Sequence, residues 1–554
     1  MEFRYSYAKD SSVSSTADAT AMSFAPDVTR PPTYFSGELR LATTFREAIS
    51  ALHDVVVSDL RFRPKDKTAY KEWLAQHEDL EVAATLAREG AVRSELATLE
   101  KELIELEKRH TSRVGPFVDA RSRYFKWLYE KNRDFWYVLD PVITVHPDEI
   151  FFECFSQDES SYGRLGASYE YFKNVGELAC GTTNVDYSTQ LYDEFQKIRT
   201  YKTTTLTVDP TGFGVKTTHE DTLRGAEYKE VKIDLPDSWV RGFLQVSSAM
   251  ALPAHSVELH PMDVHNLCFV LRRRKEKHGP RALRWHLTPG QPVKAVFEPW
   301  EVEVPCPRSI YKGSEATEVR TWGRRRLLIL ERLIPIASKF TVHLLGKGMP
   351  SFWVADLGGM TFTLGLSGWT ANDWSQSGNF DLLAPRKTVD EPTKRRVFDE
   401  LKKRWFATPD QLAAGLNLDR AVVLGALGAW TQAGRAIYDL SKGVYRAREL
   451  SRDPLPIEKL RFASEREAQA MELVLSGAVK NLKVVGGDHE KKTLTVRAEI
   501  KKTAKTIPVE LTFDADEKIV RADCQCNWHQ HNQLWNGPCE HILALRVAHS
   551  RRWL

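Results

Sequence analysis

The sequence predicts a multidomain α+β protein, and three observations carry that expectation. The chain has 554 residues, well past the about 250–300 residues at which one hydrophobic core stops growing. Its apolar pattern changes along the chain, from helical spacing before about residue 140 to strand-like alternation up to about 386. Three of its seven cysteines fall between residues 524 and 539, where folding needs more than apolar burial.

Bulk chemistry narrows the function classes. Charged residues make up 27% and hydrophobic ones 42% of the chain, with 78 basic and 74 acidic residues and a formal net charge of +4. That balance is ordinary for a globular protein, so any nucleic-acid surface must be local rather than global. The start, MEFRYSYAKDSSVSSTADATAMSF, has no apolar h-region of a signal peptide. No run approaches the ~20 apolar residues of a membrane span. Cys154, Cys180, Cys268 and Cys306 are scattered without a pairing pattern, which predicts a reducing, cytoplasmic setting and no disulfide framework.

Residues 1–33 are rich in Ser, Thr, Ala, Asp and Pro and read as a flexible tail. Residues 34–140 read as a helical and coiled-coil region. TTFREAISALHDVVVSDLRF is its first helix, and Val92, Leu96, Leu99, Leu103 and Leu106 then repeat at alternating four and three. That seam spans only about two heptads, so an antiparallel hairpin is favoured over a dimerising coil.

Residues 141–386 read as a β-rich α+β body. TTTLTVDPTGFGV, KAVFEPWEVEVP, KFTVHLL, SFWVADLGG and MTFTLGLSGW are β-branched or aromatic with Gly and Pro between them. Helices are expected near MDVHNLCFVLRRRKEKHG and RRRLLILERLIPIA. His260, Asp263 and His265 have a loose metal-like spacing, but Pro261 predicts a helix start, which makes Asp263 a cap-region residue and the histidines surface groups. LLGKGMPS lacks P-loop spacing and GLSGW lacks that of a nucleophile elbow.

Residues 387–450 parse as three helices and a hairpin. TKRRVFDELKKRWF is amphipathic; Thr408 caps PDQLAAGL with Pro409 at its first position; LDRAVVLGALGAWTQAGRA ends at Gly434; IYDL and VYRA flank SKG. The stretch resembles the winged helix-turn-helix superfamily, which implies DNA binding with the third helix in the major groove. Its outward residues resist that implication. Arg420 stands alone, followed by Ala421, Val422, Leu424, Gly425, Gly428, Ala429 and Thr431, where base readout wants Arg, Lys, Asn or Gln. Such a face suits packing against protein. Backbone contact through Lys394, Arg395, Arg396, Lys402, Lys403, Arg404 and Lys442, with Arg420, stays open as the nucleic-acid alternative.

Residues 457–554 hold the strongest motif. Cys524, Cys526, Cys539 and His541 give C-x-C-x12-C-x-H. Three thiolates and one imidazole make a tetrahedral Zn²⁺ donor set. TIPVELTFDADEKIVRADCQC predicts two strands with a turn at Asp514–Lys518, and CEHILALRVAHSRRW a helix. Strand alternation would point Cys524 and Cys526 the same way, while Cys539 and His541 would occupy the first helical turn, giving a ββα unit. His529 and His531 could compete with His541 as fourth ligand; more simply they lie in an exposed insert with Trp528 and Trp535, which could stack on bases, pack on a partner, or merely cover the finger.

The four ligands resemble the SWIM zinc finger, whose signature is C-x-C, a variable gap and C-x-H. The helix and strands expected in FASEREAQAMELVLSGAVKNLKVVGG and TLTVRAEI extend that resemblance upstream. SWIM fingers are DNA-binding or protein-interaction modules. The whole chain resembles bacterial SWIM zinc-finger family proteins of similar length, encoded near MoxR-type AAA+ ATPases and von Willebrand A-domain proteins. The resemblance implies a non-enzymatic adaptor with one structural zinc, working with such an ATPase. A DNA-binding regulator gripping nucleic acid through winged helix and finger is the alternative. An enzyme with a pocket in 141–386 is the third and weakest.

Overall fold

A computed structural model describes residues 12–15, 19–24, 33–58, 141–184, 196, 198, 200, 203–208, 237–275, 281–368, 374, 380, 389–450, 455, 464–486, 493–502, 505–514, 518–535 and 537–551. Helices and several mostly antiparallel sheets combine in an α+β architecture. The coiled-coil seam at 92–106 and the aromatic helix expected after it lie outside the described residues.

The body is organised by an eight-stranded sheet ordered 255–259, 339–344, 351–356, 360–366, 161–168, 149–155, 142–145 and 181–184, with every pair antiparallel. Strands Glu149–Phe155 and Met360–Leu366 are buried almost throughout, as strands covered on both faces of a sheet are. The pairing of Ser161 with Leu366 joins distant parts of the chain in the sheet's centre. Helix α1, Ala42–Val56, lays Phe45, Ile49, Leu52 and Val56 into this sheet. Gly163 makes the approach close: a Cβ there would stand 3.0 Å from a Leu52 methyl and 3.1 Å from one of Val55. A four-stranded antiparallel sheet, 302–310, 292–297, 283–287 and 317–321, sends Trp285 against Trp353 with ring centroids 5.7 Å apart.

Three sequence expectations change. Within the expected tail, Ser12–Ser15 and Ala19–Phe24 are strands, and Ala19–Phe24 runs parallel to Thr203–Val208. Composition cannot disclose a partner nearly two hundred residues away. Helix α2, Asp237–Met250, was not expected; Trp239, Val240, Phe243 and Leu244 give it a buried face. Helix α3, Pro261–Arg273, begins where Pro261 indicated, with the Nδ1 of His260 accepting from the Met262 amide at its N-terminus. Asp263, however, is fully buried, and its carboxylate accepts from Ser309 Oγ at 2.6 Å and from the Arg308 amide at 3.1 Å. It ties the helix to the neighbouring sheet. The Arg324–Arg332 segment is a 3₁₀ helix.

After the body come α4, Glu391–Arg404; a short strand, Phe406–Ala407; α5, Pro409–Leu416; α6, Arg420–Gln432; and the hairpin Ala436–Asp439 with Val444–Ala447. Thr408 and Gln411 form a reciprocal capping box on α5, and Asn417 ends it in the left-handed region. Gly434 has φ +69°, which suits glycine after α6. Val397, Leu401, Leu412, Val423, Ala426, Leu427 and Ala436 form this unit's core. Among the described residues no single helix is long and apolar enough to cross a membrane.

Much of helix α6 is enclosed, with Ala421, Val422, Leu424 and Ala429 part-covered and Arg420 exposed. Gly425, Gly428, Thr431 and Gln432 are buried, and Gln432 Nε2 donates to Ser248 Oγ of α2 at 2.6 Å. The hairpin is pinned to the body by buried charge. Arg446 reaches Asp439 at 2.8 Å, Asp148 at 2.8 Å and Glu149 at 3.2 Å, while Arg164 reaches Asp439 at 3.3 Å. Four charges lie essentially out of water here, and each has an opposite partner, the condition under which buried charge is tolerated.

Candidate metal centre

The C-terminal module is a four-stranded antiparallel sheet, ordered 479–486, 494–502, 505–513 and 519–524, with α7, Glu465–Leu475, and α9, Glu540–Arg551, against one face. Alternation decides which face. Val496, Ala498 and Ile500 on one strand and Val509, Leu511 and Phe513 on the next are buried with Ile542 and Leu545 of α9. Arg497 and Glu510 point the other way and pair across the strands. The module therefore has its own core, and Cys524 and Cys539 belong to it.

Each metal-type donor is delivered by a different piece of backbone. Cys524 is the last residue of its strand, and the strand stops there. Cys526 is not on the strand, as alternation had suggested. It caps the short helix α8, Asn527–Asn532, and its sulfur accepts from the His529 amide at 3.4 Å. Cys539 precedes α9 and is fully buried; the Ile542 amide hydrogen-bonds to its sulfur. His541 lies in the first turn of α9, 2% exposed. The four donor atoms all lie within 4.8 Å of one another, and this is the one such group of three or more among the described residues.

Proton chemistry fits a metal-binding set. A hydrogen bond from the Cys524 thiol, aided by His541 and the Ile542 amide, holds Cys539 down at about 4 against burial. Cys524, which supplies that bond, is pushed up well above the ordinary thiol range, and burial pushes Cys526 up as well. One thiolate thus serves three sulfurs, an arrangement a divalent cation would relieve by displacing the remaining protons. Both ring nitrogens of His541 are buried; Nδ1 lies 3.5 Å from a Glu540 carboxylate oxygen, and neither nitrogen has a well-formed hydrogen bond outside the sulfur cluster. A cation bound by the neighbouring sulfurs would give the imidazole a strong partner.

Of the insert expected to be exposed, Trp528, His531 and Trp535 are exposed and His529 is not. His529 is 7% exposed rather than surface-lying, and it stands outside the four-donor group. His531 is exposed, with Nδ1 2.8 Å from the Asn527 carbonyl. Trp528 is half-covered: the Arg466 guanidinium lies 4.1 Å above its ring and also donates to the Pro538 carbonyl. Trp535 is 90% exposed. Sequence reasoning missed Arg466; its place in the first turn of α7, which packs on α9, is visible only in the fold.

The basic residues singled out around α4–α6 do not converge. Lys394 pairs with Glu391 at 2.6 Å, Arg420 with Asp410 at 2.8 Å, and Arg396 reaches the Leu416 carbonyl. Arg395 is exposed. Lys442 turns toward the body, 2.8 Å from Asp148 and 3.2 Å from Glu149. Exposed pairs of this kind are weak, so they do not by themselves prevent phosphate contact; the orientation of Lys442 and the burial of α6 weigh more.

Comparison with known proteins gives little to add. No family model matches the chain, and no curated protein matches it. Among solved structures the chain is similar to proliferating cellular nuclear antigen from Entamoeba histolytica, at 9% identity, over 60% of this chain and 98% of that one, with a TM-score of 0.34. At that score the likeness carries no argument.

Proposed function

We propose that this chain is a non-enzymatic zinc-binding adaptor. Residues 457–554 form a SWIM-type finger closed by one Zn²⁺ on Cys524, Cys526, Cys539 and His541. The observation that carries this reading is the convergence of those donors within 4.8 Å, delivered by a strand end, a helix cap and a helix first turn. Soft sulfur with borderline imidazole nitrogen favours zinc over magnesium or calcium. Four protein donors leave no place for a reactive water, so the ion would hold structure rather than activate substrate.

In this reading residues 387–450 are a winged helix used as a joint. The order helix, strand, helix, helix, hairpin supports that assignment. Enclosure of α6, with Gln432 bonded to Ser248, supports protein packing over base readout. The partners follow from the resemblance drawn from the sequence: a MoxR-type AAA+ ATPase, which would supply ATP hydrolysis, and a von Willebrand A-domain protein.

Metal analysis tests the centre. The purified chain should carry about one zinc, as four-donor structural sites do, and Cys526→Ser should lower that content sharply. Unchanged zinc in Cys526→Ser would remove the ligand assignment.

A further inference from the structure

The strand Ile519–Cys524 is the last in its sheet. It pairs with Lys505–Phe513 on one side, through Thr512–Arg521, Leu511–Ala522, Glu510–Asp523 and Val509–Cys524. On its other side no strand lies against it among the described residues. Main-chain groups on such an edge require partners, and an unguarded edge is a template for another strand.

The opposite edge of the same sheet, Val479–Gly486, is guarded. Two register shifts interrupt it, and Lys480 and Lys483 lie along it, both usual protections. The 519–524 edge has a single register shift, which leaves Val520 bulged between the paired Ile519 and Arg521, and it pairs regularly from Arg521 to Cys524. It borders an open groove of about 730 Å³, whose far wall is α8 and the turn after it. Val520 in the strand is 50% exposed, and Trp535 across the groove, at 90%, is the most exposed large apolar side chain among the described residues. An apolar residue in an open edge, faced by an uncovered Trp, is the opposite of protection; it is what strand-addition sites present.

Charge decides between ligand classes. The polar groups of the groove are the neutral amides of Gln525, Gln530 and Gln533 and the His529 imidazole, with one acid, Asp523, to offset Arg521. Single-stranded nucleic acid is held in positively charged grooves, and this one is balanced. We propose that the edge is a docking site for an extended, largely uncharged segment of a partner protein. The segment adds a fifth strand beside Ile519–Cys524 and sets an apolar side chain against Trp535 and Val520. This inference rests on the adaptor reading and names the chemistry of its partner.

The test pans a random peptide library, displayed on phage, against the full zinc-loaded chain, then measures a selected synthetic peptide by fluorescence anisotropy. Selected peptides should alternate apolar and neutral polar residues. Val520→Lys and Trp535→Ala, both at exposed positions that leave the core intact, should each weaken binding by about tenfold or more. N-methylation of alternate peptide amides should abolish it. No enrichment over the Val520→Lys chain, or affinity indifferent to both substitutions, would overturn the proposal. So would binding of a random single-stranded oligonucleotide that needs Trp535 but ignores Val520→Lys, which would mean base stacking. Zinc is measured on every preparation. Zinc present without peptide binding overturns the edge and leaves the metal reading standing; peptide binding to a chain that never takes up zinc does the reverse.

Discussion

His146 shows how a single residue records the joint between body and hairpin. Its ring is fully buried, with Nε2 2.7 Å from the Ala447 carbonyl and Nδ1 3.4 Å from Arg446 Nη1. The neutral tautomer with hydrogen on Nε2 satisfies both contacts. Burial, reinforced by the Arg446 charge, holds the imidazole at about 3. An unfolded chain would protonate it near 6.5, so the neutral ring stabilises the fold above that pH and loses the contribution as pH falls toward 3. Asp148 acts in the same direction at lower pH: burial opposes its charge, but Arg446 and Lys442 outweigh burial and hold it at about 2. His146→Gln keeps an amide for the Ala447 carbonyl and removes the titration. It should flatten the pH dependence of unfolding free energy between about 6.5 and 3, where the native slope reaches about 1.4 kcal/mol per pH unit; equal slopes in denaturant titrations of the two proteins would exclude this role. None of this was legible in the sequence, where His146 and Arg446 stand three hundred residues apart. The four metal donors were legible, because thiolate and imidazole at that spacing have few other uses. Their delivery was not: period-two logic put Cys526 on a strand, whereas the chain breaks after Cys524 and lets Cys526 cap a helix.

At the scale of elements, local signals identified what local physics fixes. Thr408, Pro409, Asn417 and Gly434 mark the ends of α5 and α6, and the structure has helix boundaries beside each. Of the strands at 12–15 and 19–24, the second escaped because its partner at 203–208 is remote, and the first pairs, among the described residues, only with the second; α2 was legible and missed, since Trp239, Val240, Phe243 and Leu244 recur at helical spacing. The outer face of α6 was read as small and apolar, and the structure supplies a reason for part of it: Gly425, Gly428 and Thr431 are interior, while Ala421, Val422, Leu424 and Ala429 are part-covered and Arg420 is exposed. Gly428→Arg is therefore informative. On a DNA-reading helix it would add a phosphate or base contact and raise duplex affinity. In an enclosed helix it overpacks the interior and buries an unpaired charge, and should destabilise the chain by about 3 kcal/mol or more. Thermal melts and duplex binding across a salt series distinguish the two, and a stable variant with tighter, salt-sensitive binding would restore the regulator reading.

On the scale of the whole molecule, two different devices hold the chain's later half. The α4–α6 unit is fixed to the body by apolar burial and by the Arg446, Asp439, Glu149 and Arg164 charges, none of which needs a metal. The C-terminal module has a separate core, and its four strands and two packed helices meet at the Cys524–Cys539 cluster. A core this small gains much from a metal, because binding free energy becomes folding free energy. Chelation should therefore act locally. Hydrogen exchange after metal removal should accelerate in 464–486 and 493–551 while 142–168, 351–366 and 391–447 keep their protection. Acid should do more, since protons compete for the thiolates and also titrate His146 and Asp148 at the joint. If chelation instead loosened α6 and the 436–447 hairpin together with the C-terminal sheet, the two halves would be one cooperative unit, and zinc would support the whole later half of the chain rather than a separable recognition module.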